Sequence, residues 1–243
     1  MEVIVTENYQ QMSQRAARIV AKAILAKPSL VLGLATGDTP RGMYRCLVSF
    51  YQEGLLDFSQ VTTFNLDEYV GLDPYDSHSY HFYMQEELMG KINIRPENVH
   101  ILLGIASDLL EECCQFEQSI ERSGGIDLQV LGLGENGHIG FNEPGADWGS
   151  VTHLVKLTEE TRKANSRFFS SWEEVPEKAL TMGIKTIMQA DRILLLVSGK
   201  NKGAALREAL FGPVTPRVPA SVLQLHPQVM VLVDQGTTQF EGS

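Results

Sequence analysis

Histidine, carboxylate and amide side chains crowd one glycine-bounded segment, Gly132-Leu133-Gly134-Glu135-Asn136-Gly137-His138-Ile139-Gly140-Phe141-Asn142-Glu143-Pro144-Gly145. An imidazole flanked by Asn136 and Glu143 is what general acid–base catalysis requires: a polar neighbour orients the ring so that it can pass protons. A single His is more often structural, and His78, His81, His100 and His226 are read that way. The His78/His81 pair has too few neighbouring ligand types for a metal site. The segment also contains a formal Gly-x-Gly-x-x-Gly. A dinucleotide site needs the third glycine to open a helix and an acid about 20 residues further on. Glu159 and Glu160 lie at that distance, but Gly140, Pro144 and Gly145 prevent the helix, which disfavours this reading.

Two further segments place reactive groups directly after apolar runs. In Val61-Thr62-Thr63-Phe64-Asn65-Leu66-Asp67-Glu68-Tyr69 two acids follow a half-apolar strand. Adjacent acids in an extended chain point apart, so one of them faces any crevice there. A partly desolvated carboxylate at that point can abstract a proton from carbon next to a carbonyl, and a cap or solvated acid is the other reading. In Leu30-Val31-Leu32-Gly33-Leu34-Ala35-Thr36-Gly37-Asp38-Thr39-Pro40 a strand passes through a turn of small and hydroxyl residues into a helix start. Backbone N–H groups and the positive end of the helix dipole would face an anion, with Thr36 and Thr39 as added donors. A plain strand-to-helix turn in which Thr39 is the N-cap and Pro40 lies in the first turn fits equally. A Walker loop does not, because its Gly-Lys-Ser/Thr ending is absent.

These groups need strands to carry them. Short β-type runs at 3–5, 30–34, 61–66, 128–133, 193–197 and 229–233 alternate with longer helical stretches, the pattern of an α/β fold with a largely parallel sheet. In such sheets ligands bind beyond the carboxyl ends of the strands, where the three segments begin. Met12, Ala16, Ile19, Val20, Ala23 and Ile24 recur at helical spacing, and further helices are expected near 107–123 and 200–210. The glycines from Gly132 to Gly149 make that stretch an elaborate loop. The polar stretch 158–176 reads either as a mobile cover over a site or as a solvated helix pair. No repeat or linker marks a boundary, so one domain over 1–243 is expected.

The 243 residues are 43% hydrophobic, enough for a sizeable core, and carry 20 Lys and Arg against 30 Asp and Glu. A net charge of −10 argues against nucleic acid or an anionic membrane as partner, since both require a positive field, but leaves room for a small anion held locally. Cys46, Cys113 and Cys114 are too few for a disulfide framework. The start of the chain has no signal-peptide pattern, and no apolar run approaches the ~20 residues of a membrane span, so a cytoplasmic protein is expected.

Taken together, the chain resembles the glucosamine-6-phosphate deaminase family over nearly its whole length. The resemblance rests on Gly33–Pro40, on Phe64-Asn65-Leu66-Asp67-Glu68-Tyr69-Val70-Gly71-Leu72, on Gly134–Pro144, on Thr161-Arg162-Lys163-Ala164-Asn165-Ser166-Arg167-Phe168-Phe169 and on Leu223-Gln224-Leu225-His226-Pro227. It implies a Rossmann-like three-layer α/β/α sandwich and conversion of glucosamine 6-phosphate and water to fructose 6-phosphate and ammonia, without a cofactor. By the same resemblance Asp67 is the base that moves a proton from C2 to C1. His138 opens the sugar ring, oriented by Asn136 and Glu143. The loop Thr36-Gly37-Asp38-Thr39, Arg167 and Lys202 bind the substrate at its phosphate.

The chain departs from part of that family in three places. Asn136 stands where larger relatives have Asp, so the partner of His138 is neutral. The segment 146–155 lacks the Ser and basic residues with which regulated hexameric relatives bind N-acetylglucosamine 6-phosphate, with His153 and Val155 at the basic positions. The chain also ends earlier, at Ser243. Hyperbolic kinetics without that activator, and a monomer or small oligomer, are therefore expected. The rival readings are a 6-phosphogluconolactonase-like hydrolase, which has no use for a carbon-acid base at Asp67, and a sugar-phosphate sensor without turnover.

Overall fold

Alternation of apolar runs with amphipathic stretches becomes alternation of strand and helix in the computed structural model, which describes residues 1–238. In chain order the elements are β1 (Glu2–Thr6), α1 (Tyr9–Ala26), β2 (Val31–Leu34), α2 (Asp38–Gln52), β3 (Thr62–Asn65), β4 (Asp67–Tyr69), α3 (Tyr80–Glu87), β5 (Val99–His100), α4 (Leu109–Arg122), β6 (Leu128–Gly132), β7 (His153–Lys156), α5 (Glu159–Asn165), β8 (Lys178–Thr181), α6 (Ile184–Met188), β9 (Ile193–Val197), α7 (Gly203–Phe211), β10 (Val229–Asp234) and α8 (Gln235–Thr238). Seven strands form one sheet in the order β1-β10-β9-β6-β2-β3-β5, every pair parallel.

Helices cover both faces, which is why the central strands are continuous apolar runs rather than alternating ones. Leu194 and Leu196 of β9 pack with Leu32, Val130 and the apolar faces of α1 and α2. Ile193, Leu195 and Val197 point the other way, into a second core with Phe116 of α4, Ile187 of α6 and Leu206 of α7. The result is the expected three-layer α/β/α sandwich. The six expected strands are all present, as are the helices expected near 107–123 and 200–210.

Position 39 corrects an expectation. Thr39 is not the N-cap of α2: the helix starts at Asp38, and Gly37 is the capping residue, with φ +96° and no side-chain capping bond. That left-handed conformation is open to glycine and strained for other residues, so the chain enters the helix earlier than the Thr-Pro pattern implies. Thr39 then lies in the first turn, and its hydroxyl meets Lys202 Nζ at 3.1 Å.

A second sheet, antiparallel and ordered β4-β8-β7, was not expected from the sequence. Its strands are three or four residues long, too short for period-two patterning to stand out. The two sheets meet at Leu66. Its N–H donates to Leu34 O of the large sheet at 3.0 Å, and its carbonyl accepts from Met182 N beyond β8 at 2.7 Å. One residue thus carries the chain from sheet to sheet, and Asp67 and Glu68 follow immediately.

Stability should depend most on the doubly covered centre. Leu196→Ala, at a fully buried β9 position, is expected to lower unfolding free energy by about 3 kcal/mol through lost transfer energy and a residual cavity, measured by urea unfolding.

Candidate active site

A cavity of about 460 Å³ opens at the carboxyl ends of β2, β3, β6 and β9, the place where parallel α/β sheets present their loops. Asp67 lines it from the start of β4. The side chain is only 6% exposed and receives no hydrogen bond from any described residue. Burial pushes its carboxyl up to about 8, and the Glu68 charge next to it acts in the same direction. Glu68 turns away, as expected of adjacent acids: its oxygens accept from the Tyr80 and His81 N–H groups at the start of α3.

His138 lines the same cavity, at the far end of a relay. Glu143 can only accept, so the amide of Asn136 must turn its Nδ2 to Glu143 Oε2, at 2.8 Å. Asn136 Oδ1 then faces His138, accepting from its backbone N–H at 3.1 Å and lying 2.8 Å from its Nδ1. That assignment makes Nδ1 the protonated nitrogen and leaves Nε2 with its lone pair toward the cavity, the tautomer a proton acceptor needs. Gly134 permits this placement, since a Cβ there would stand 2.3 Å from ring atoms of His138. Burial would raise the Glu143 carboxyl, but the Thr161 and Asn136 donors and the attraction of the His138 ring, whose Nδ1 lies 3.6 Å away, outweigh it and hold it at about 2. Thr158 and Thr161, at the cap and first turn of α5, both donate to Glu143 Oε1.

The opposite end of the cavity is cationic. The first turn of α2, with Thr36, Gly37, Asp38 and Thr39, shares it with Lys202 and Arg167. Burial lowers the proton affinity of Lys202, and the charge of Arg167 adds to that. Arg167 lies 3.1 Å from Asp38 Oδ2 and stacks over Phe168. Asp38, expected as a substrate ligand, lines the cavity as the partner of Arg167. The main chain at the head of α2, Thr39, Arg167 and Lys202 make an anion cradle.

Eight of the ten expected site residues line the cavity. Asn136 and Glu143 do not: they stand behind His138 and act through it. The sequence reading missed the aromatic wall of Tyr69, Tyr80, Phe141 and Phe169, packed ring against ring. His78, read as structural, lines the cavity and stacks on Phe169 at 4.7 Å. Ser198 and Gly199, directly after β9, also line it, and reading every strand end alike would have found them. The stretch 158–176 is one helix followed by two 3₁₀ turns, and Asn165 to Phe169 border the cavity. Among the described residues no group of three or more His, Cys, Asp or Glu side chains is placed to hold a metal ion.

Residues 5–232 match the family model described as glucosamine-6-phosphate isomerases/6-phosphogluconolactonase. The chain belongs to that family. It is 57% identical over 235 residues to the glucosamine-6-phosphate deaminase of Thermoanaerobacter pseudethanolicus, covering 97% of this chain and 93% of the relative. It is 54% identical to the enzyme of the same name from Halothermothrix orenii, covering 97% and 98%. A solved monomeric glucosamine-6-phosphate deaminase superposes with a TM-score of 0.96 at 50% identity, covering 98% of each chain.

Burial of Asp67 has a stability consequence with a definite sign. Its folded proton affinity lies above that of the unfolded chain, so its contribution is full below pH about 3.8 and is lost as pH rises through about 8. Asp67→Asn removes that loss. The variant is expected to unfold at a Tm higher by on the order of 5 °C at pH near 8, with the difference vanishing below pH about 4, as followed by thermal circular dichroism.

Proposed function

We propose that this protein converts glucosamine 6-phosphate and water to fructose 6-phosphate and ammonia, as a glucosamine-6-phosphate deaminase of amino-sugar catabolism. The observation that carries the reading is a buried, hydrogen-bond-free carboxylate, Asp67, in one cavity with an imidazole whose Nε2 is free, opposite a cationic cradle. The names of the relatives at 57% and 54% identity support it.

In the proposed sequence the phosphate binds at the head of α2 with Thr36, Thr39, Arg167 and Lys202. His138 Nε2 takes the proton of the C1 hydroxyl and delivers it to the ring oxygen, giving the open aldehyde. The C1 carbonyl acidifies the neighbouring C–H, so Asp67 removes the C2 proton, the C1 oxygen takes a proton from the C2 ammonium to give an enolamine, and Asp67 returns its proton at C1. The product is a ketimine at C2. Water adds to it, the C–N bond breaks, ammonia leaves, and the ketone of fructose 6-phosphate remains. The substrate carbonyl is the electron sink throughout. Two titratable groups whose surroundings set them apart do the two jobs. Asn136 and Glu143 hold the tautomer of His138.

Several finer features belong to the same proposal. The chain works as one domain, and 158–176 is a lid that opens to admit substrate, since Asn165 to Phe169 border the cavity. The enzyme is a cytoplasmic monomer or small oligomer, in keeping with its free cysteines and with a monomeric relative of 50% identity. Segment 146–155 has no Lys or Arg, and its Thr152 is bonded to Glu117. Rates therefore follow hyperbolic kinetics, unaffected by N-acetylglucosamine 6-phosphate.

Purified protein given glucosamine 6-phosphate is expected to release ammonia, and Asp67→Asn to lose at least about a thousandfold in kcat, the usual scale for a positioned base. No ammonia, or an equally active variant, refutes the assignment. Lys202→Ala should raise KM about tenfold or more with an unchanged fold, because a charge-assisted contact to phosphate is lost. An unchanged KM removes Lys202 from the cradle.

A further inference from the structure

The proposed chemistry has no job for Glu68, yet it is among the most buried charged side chains of the chain, at 1% exposure. Its surroundings are unusually complete. Oε1 accepts from the backbone N–H of Tyr69 at 2.7 Å and of Tyr80 at 3.0 Å. Oε2 accepts from the His81 backbone N–H at 3.0 Å and faces His81 Nδ1 at 2.9 Å. Three fixed backbone donors, with His81 Nδ1 as a fourth when it carries its proton, favour a carboxylate over a carboxylic acid here. Two of the backbone donors lie in the first turn of α3, where the helix dipole also favours a negative charge. Ser79, the N-cap, uses its side chain on Phe82 N instead, which leaves the N–H groups of Tyr80 and His81 to Glu68.

Asp67 has the opposite surroundings. It belongs to the same three-residue strand, is equally dry, and has no donor. The groups around it are Glu68 and Tyr69 on β4, Tyr80 and His81 on α3, Tyr44 on α2, and His138 across the cavity. No Lys or Arg stands among them. A fixed negative charge one residue away, with little water between to screen it, opposes a second one at Asp67.

We propose that Glu68 is the positioning residue of the site: its clamped carboxylate ties β4 to the head of α3 and, as a permanent neighbouring charge, keeps Asp67 a strong base. Burial alone would weaken any acid at position 67, and burial is the larger influence on Asp67, with Glu68 adding to it. The pairing divides two roles between two adjacent carboxylates of nearly equal burial by giving all the donors to one of them. The clamp also places Tyr80, whose ring forms part of the cavity wall. The inference rests on the proposed role of Asp67 as base, but its central claim is about ionisation and can be read without substrate.

The experiment is a carbon-13 NMR titration of the side-chain carboxyls in the intact protein, labelled at Asp and Glu. The Asp67 signal is identified by its loss in D67N, and the Glu68 signal by correlation along its own side chain. Asp67 is expected to titrate near pH 8, well above the ordinary carboxylate range. In E68Q the Asp67 midpoint should fall by about one pH unit or more, and kcat/KM at pH about 6, relative to its plateau, should rise about tenfold. E68D, which keeps the charge and shortens the reach, should lose kcat while its acid limb stays near that of the parent. Glu68 titrating together with Asp67, Asp67 titrating in the ordinary carboxylate range, or a midpoint unmoved in folded E68Q each overturns the proposal. Should E68Q fail to fold, the parent titration decides alone. If the protein released no ammonia, the deaminase reading would fall while the NMR result still stood or failed by itself.

Discussion

Keeping an ionisable carboxyl out of water without a hydrogen-bond donor is costly, and the region around the cavity is organised by that constraint at Asp67. The residue follows Leu66, where two sheets join, and is itself paired with Thr181 of β8, so the chain is anchored to the large sheet just before it and to the small sheet at it. Tyr69, Tyr80 and Phe141 shield it with apolar ring surface, and the nearby polar donors are engaged elsewhere. A loop in that place would let water in or let the carboxylate find a partner. Either outcome would lower its proton affinity.

Glu143 shows the reverse arrangement within the same site. It too is largely sheltered, yet the Thr158 and Thr161 hydroxyls and the Asn136 amide donate to it, with the imidazole 3.6 Å away. Burial is outweighed, and the group stays ionised at any ordinary pH. Asp67 and Glu143 thus begin as similar side chains and end about six pH units apart, near 8 and near 2. The separation comes from burial at Asp67, with the Glu68 charge adding to it, and from donors that outweigh burial at Glu143. The neutral Asn136 bridges Glu143 and His138 by hydrogen bonds, while Glu143 Oε2 itself lies 3.6 Å from the ring at Nδ1. Thr158 and Thr161 connect this relay to the segment bordering the cavity, so the proposed lid and the imidazole share a hydrogen-bond network.

Charge is distributed on the same local principle. The chain carries −10 overall, yet Arg167, Lys202 and the head of α2 converge at one end of the cavity. Asp38 partners Arg167 there and also lies 3.4 Å from Arg41, so the cations are held in place when no anion is bound. A net negative surface excludes extended polyanions, and a cradle a few ångströms wide still suits one phosphate.

The sheet strands, the flanking helices, the acid at Asp67, the loop at His138 and the strand-to-helix turn before α2 were all legible in the residues, because each leaves a local trace: an apolar run, a helical period, a cluster of glycines. The start of α2 was not, since a positive φ at Gly37 displaced the more familiar Thr-Pro signal. Nor was the small antiparallel sheet, whose strands have three or four residues and whose β4 pairs with β8 across more than a hundred positions of sequence. The aromatic wall, His78 and the threonines on Glu143 come from segments whose patterns say only that they are polar or mixed. The sequence by itself determined which groups were available and at which strand ends they would emerge. Only the tertiary structure decided which carboxylate received donors and which received none, because a proton affinity depends on what surrounds a group in space and not on its neighbours along the chain.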